Sequence, residues 1–141
     1  MSFHDLPSDW PTRALSDTAV AADVVDLVMR ESDRINHAVC AIFCRPDLTM
    51  LQPMAGAGFF RDTPPHACRS FFDLALGELG LPVGAVVLGL GRPHGTVPTD
   101  AERTWHQGAI EFCRDQGVPL LAAYLVTCDG VTELPRHDVA A

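Results

Sequence analysis

Arg92, His94, Glu102 and His106 have side chains that can do chemistry and lie close along the chain. Glu102 and His106 are four apart, so on a helix they share a face, and His94 sits just ahead in a turn. Two imidazoles and a carboxylate drawn together could hold a metal ion or move a substrate proton, with Asp100 as a further oxygen donor. That would be a hydrolase with a rebuilt site. In the plainer reading Glu102 caps its own helix, His106 is a partly exposed helical histidine and His94 is a turn residue. Arg92 also has two uses. With the amides at the start of the same helix it could bind an anion or small ligand. Alternatively it pairs with Glu102 or Asp100, which we prefer because a nearby cation favours the ionised carboxylate.

These residues need a rigid strand and helix on either side. Residues 83–90 read as a fully buried strand, followed by the turn Gly91-Arg92-Pro93-His94-Gly95-Thr96-Val97-Pro98. Thr99 with Glu102 three residues on is a capping box, opening a helix that runs to about Gln116 and is stopped by Gly117. Residues 118–128 follow as an apolar strand ending at Asp129-Gly130, and 131–134 as a short antiparallel addition. Upstream, Ser16 or Asp17 caps a helix reaching about Arg34, with Val20, Val24, Leu27 and Val28 on one stripe and Asp23, Asp26 and Arg30 facing outward. Residues 37–44 are a β-rich run bounded by Arg45-Pro46-Asp47, with 49–54 as its hairpin partner. Pro53 cannot donate to a ladder, so that strand ends or lies at an edge there. After a Gly/Pro-rich loop over 56–65, Phe72, Leu76 and Leu79 mark a helix over 69–79.

The chain has 141 residues, enough for one hydrophobic core. We divide it into an arm at 1–15, a single domain at 16–135 and a tail at 136–141. A formal charge of −8, with no lysine and ten scattered arginines, argues against nucleic acid and against an anionic membrane surface. No apolar stretch is long enough to span a bilayer and no signal peptide is visible, so the expected location is cytoplasmic. The cysteines, Cys40, Cys44, Cys68, Cys113 and Cys128, form no C-x-x-C pair and read as small buried hydrophobes. Cys68, near His66 at a helix start, is the one candidate for a reactive thiol, and packing is its plainer role. Trp10, Phe59 and Phe60 are the candidate surface anchors for a protein partner or a second copy of the chain, or else fold back over the core, with Trp10 pinning an otherwise mobile arm.

Several segments in order carry a family resemblance. Arg69-Ser70-Phe71-Phe72-Asp73-Leu74-Ala75-Leu76 resembles the R-E-[IV]-F-x-x-A-L helix start of the RadC-like branch of the JAB/MPN metalloprotease fold. Residues 84–90 are similar to the strand entering that family's site, and Pro93-His94-Gly95 stands where the family has P-S-G. Thr99-Asp100-Ala101-Glu102 resembles its S-x-x-D, with one residue deleted from the preceding loop. Gln116-Gly117-Val118-Pro119-Leu120-Leu121 resembles the helix stop and next strand. The resemblance covers most of 37–134 and implies an α/β class, an α+β mixed sheet flanked by helices in the JAB/MPN (cytidine-deaminase-like) three-layer arrangement.

The resemblance also implies a lost function. Active members carry H-x-H-P-S-G, with two histidines and the helix aspartate binding zinc and water completing the tetrahedron. Here the histidine positions hold Leu90 and Arg92, the aspartate position holds Glu102, the oxyanion serine is His94, and the general-base glutamate falls at about Pro53. Leucine cannot ligate, and a guanidinium repels a dication. Zinc lowers the pKa of its water from about 15.7 to about 7, so without it no strong nucleophile exists at neutral pH. We therefore expect no JAB-type catalysis, no catalytic residues, no bound metal and no cofactor. The expected role is a pseudoenzyme that binds or scaffolds a protein partner or forms a homo-oligomer, with Arg92, His94, Glu102 and His106 as the degenerate site.

Overall fold

Asp17 opens the first helix, α1 (Thr18–Val28), because its carboxylate accepts from the amides of Ala19 at 3.1 Å and Val20 at 3.4 Å. The computed structural model describes residues 3–56, 65–80 and 82–135. The helix does not continue to Arg34, as its pattern suggests, but breaks at Met29. The amide of Arg30 donates instead to Asp33 Oδ2 at 2.9 Å and starts a second short helix, α2 (Glu31–Ile35). Arg34 then takes the carbonyls the break has stranded, Asp26 at 2.8 Å and Met29 at 3.0 Å. The buried stripe is Val20, Ala21, Val24 and Val25, so Leu27 is exposed and Asp23, expected outside, is buried.

The sheet has the order β2-β1-β3-β4-β5. Its strands are β1 (Val39–Cys44), β2 (Met50–Gly56), β3 (Ala85–Gly91), β4 (Leu120–Thr127) and β5 (Gly130–Glu133). β1 is antiparallel to β2 and β3, β3 is parallel to β4, and β4 is antiparallel to β5. The parallel step needs a crossover, which helix α4 (Asp100–Gln116) supplies. Pro53 lies opposite Ile42 in β2, an edge strand that runs on to Gly56.

Successive strand residues point to opposite faces, and both faces are covered. Val39, Ala41 and Phe43 with Val86, Leu88 and Leu90 pack on α4 and on α3 (Pro65–Leu79). Cys40, Ile42 and Cys44 with Val87 and Tyr124 pack on α1. This is a mixed α/β fold with a five-stranded sheet and four helices among the described residues. None of those helices is long and apolar enough to cross a membrane.

The arm expected at 1–15 is attached over its described residues, 3–15. It makes 3-10 turns at Phe3–Asp5 and Trp10–Thr12, Leu6 and the half-buried Trp10 pack against the α1 core, and Leu15 is fully buried. Of the two roles its sequence allows, Trp10 thus takes that of pinning the arm rather than that of an exposed anchor. Phe59, Phe60 and the tail at 136–141 lie outside the described residues. Four cysteines are buried as expected, but Cys128 is exposed in the turn after β4.

Candidate functional site

The site is assembled where β3 hands over to α4. Leu90 and Arg92 lie two apart, and Leu90 packs in the same cluster as Ala101 and Trp105 of α4. The backbone of Arg92 remains tied to the sheet through its amide and Val126 O at 3.1 Å. Its side chain crosses the turn: Nη1 donates to Val97 O at 2.6 Å and to Glu102 Oε1 at 3.2 Å.

Glu102 is held by its own helix as well. The amide of Thr99 donates to Glu102 Oε1 at 2.7 Å, and the amide of Glu102 donates to Thr99 Oγ1 at 3.4 Å, completing the expected capping box. A carboxylate in the first turn also lies favourably in the helix dipole. The glutamate side chain is 2% exposed and the arginine 20%. A buried carboxylate is tolerated only with a cation and donors around it, and both are present.

His94 is turned away from this pair. Its Nδ1 lies 3.0 Å from Asp129 Oδ2 in the turn between β4 and β5, with both side chains largely exposed. Sequence reasoning gave Asp129 only a turn role, since nothing local signals its partner. His106 instead lines a cleft of about 580 Å³ with Pro98, Glu102, Arg103 and Leu134. The structure thus joins Arg92 to Glu102, keeps His106 beside Glu102 along one cleft, and turns His94 to Asp129. Among the described residues, no three His, Cys, Asp or Glu side chains gather where they could hold an ion.

The donor set does not fit a zinc ion. Leu90 offers no lone pair, Arg92 brings a fixed positive charge, and the Oε1 of Glu102 is already shared by an amide and a guanidinium. Anion binding by Arg92 is weakened because Glu102 already offsets its charge and its Nη1 is committed to a carbonyl and that carboxylate. Cys68 is fully buried, and burial pushes its thiol up to about 11, the opposite of what an attacking thiolate needs. No protein-family model matches this chain, and no curated protein or solved structure matches it either.

Proposed function

We propose that this chain is a degenerate RadC-like domain of the JAB/MPN fold, without catalysis of its own, that acts by binding a protein partner or a second copy of itself. The observation that supports the reading is the Arg92–Glu102 pair at 3.2 Å. Arg92 stands at a position where the resembling family carries a zinc-binding histidine, and Glu102 stands at its aspartate position. Their contact puts a cation beside the carboxylate that the metal would otherwise neutralise. A scaffold kept while its ligands are replaced fits binding better than chemistry.

The test is to put the ligands back. A variant carrying Leu90→His, Arg92→His and Glu102→Asp should gain stoichiometric zinc in calorimetric titration, while the parent should take up none. If the variant keeps its far-ultraviolet spectrum yet gains no zinc, the turn lacks the geometry of a former zinc site and the reading falls. Self-association is tested separately by sedimentation velocity at micromolar concentration. A single sharp species at the 15.2 kDa monomer mass would leave only a different protein as partner.

A further inference from the structure

Phe3, the first described residue, is linked to the candidate turn by a run of polar contacts and peptide units. The amide of Phe3 donates to Asp26 Oδ2 at 2.9 Å. The other oxygen, Asp26 Oδ1, accepts from Arg34 Nη2 at 2.9 Å, and Arg34 Nη1 donates to Thr127 O at 2.9 Å. That carbonyl shares a peptide plane with the amide of Cys128, which donates to Pro93 O at 3.0 Å. The next residue, Asp129, holds His94. One peptide unit is therefore gripped by Arg34 on one edge and by the candidate turn on the other.

The two ends of this run differ in strength. Asp26 and Arg34 are 13% and 11% exposed, and Arg34 makes four contacts with a planar guanidinium. By contrast the 3–13 segment has no regular structure beyond two short 3-10 turns, and none of its described side chains is fully buried, Leu6 and Trp10 packing half-buried against the α1 core. Segments with few buried contacts open at much lower cost than the whole domain.

We propose that residues 3–13 form a releasable strap latched on Asp26, and that its release loosens the 93–97 turn through Arg34 and the Thr127–Cys128 peptide. The inference does not depend on the zinc-site reading. Anything that displaced the strap would be felt at His94, and a ligand at the turn would in return favour one state of the strap.

Phe3→Pro tests this in the full chain, since it removes the donating amide and leaves Asp26 and Arg34 untouched. Phe3→Ala keeps the amide and controls for loss of the ring. Amide hydrogen exchange is followed by NMR in both. Relative to Phe3→Ala, the proline variant should speed exchange at the hydrogen-bonded amides of Leu6, Trp10, Thr12 and Arg13 and, by roughly tenfold, at the Cys128 amide that donates to Pro93 O. Faster exchange in the arm alone would show that nothing is transmitted and overturn the proposal. Unchanged exchange in the arm would show that the Phe3 contact is no latch and overturn it equally.

Discussion

Arg92 Nη1 lies 3.2 Å from Glu102 Oε1, joining the end of β3 to the first turn of α4 with the carboxylate almost wholly buried. Removing the cation leaves that carboxylate with its Thr99 amide alone. Breaking a fully buried pair typically costs about 3–5 kcal/mol, but Arg92 is partly solvated and the amide remains, so Arg92→Leu should cost about 2 kcal/mol. Arg92→Leu with Glu102→Gln should recover part of this, because the neutral amide can still accept from Thr99 and needs no counter-charge. Urea unfolding midpoints read both. A single variant as stable as the parent would show that the pair has no energetic role.

Burial sets the thiol chemistry. Desolvation pushes Cys40, Cys44 and Cys113 up to about 12 and Cys68 up to about 11, while Cys128 is exposed. In native protein at pH 8, a disulfide reagent should titrate one thiol rapidly, and all five only after unfolding. Linkage follows with a definite sign. Above about pH 9 the unfolded thiols lose protons that the folded ones keep, so stability falls from there towards pH 12. Each buried thiol steepens that fall by up to about 1.4 kcal/mol per pH unit. Cys128→Ser should abolish the fast labelling.

Two helical glycines should respond oppositely to alanine. A Cβ at Gly77 in α3 meets nothing within 4 Å, so Gly77→Ala should stabilise by about 0.5–1 kcal/mol through helix propensity. A Cβ at Gly108 in α4 would sit 2.7 Å from Cys68 Cβ, where α3 crosses α4. Overpacking there costs about 1–3 kcal/mol, more than the propensity gain, so Gly108→Ala should lower the melting temperature. Making Cys68→Gly as well removes the obstructing atom and should relieve the overpacking relative to Cys68→Gly alone.

What sequence could tell of this fold was what local chemistry decides. Thr99 and Glu102 sit three apart whatever surrounds them, and Gly117 stops α4 at φ +70°, so both ends of that helix were legible. The strands β1 and β3 were legible as apolar runs, but which residues face which helices was not, because both faces of the sheet are buried. The break at Met29 was not legible, because it depends on Arg34 reaching carbonyls and a strand end distant in sequence. The buried face of α1 was misjudged because Leu27 and Val25 are equally apolar and only packing chooses between them. At the site, opposite charge foretold that Arg92 would meet Glu102 or Asp100 and packing chose Glu102, whereas spacing could not foretell that His94 would turn to Asp129.

Arg34 allows charge to be separated from shape. Its guanidinium donates from Nε to Met29 O, from Nη1 to Thr127 O and from Nη2 to both oxygens it meets on Asp26, while being 11% exposed. Lysine carries the same charge but one compact ammonium, which cannot reach three separated groups at once. If the charge alone mattered, Arg34→Lys would be mild. Because the stranded carbonyls of Asp26 and Met29 depend on the fork, it should instead cost about 2–3 kcal/mol, the scale of buried acceptors left unsatisfied. The comparison is Arg103→Lys: that side chain is 59% exposed and pairs with a fully exposed Asp100, so the same exchange there should stay within about 0.5 kcal/mol. Equal unfolding midpoints for the two lysine variants would mean that Arg34 acts as a charge and not as a clamp.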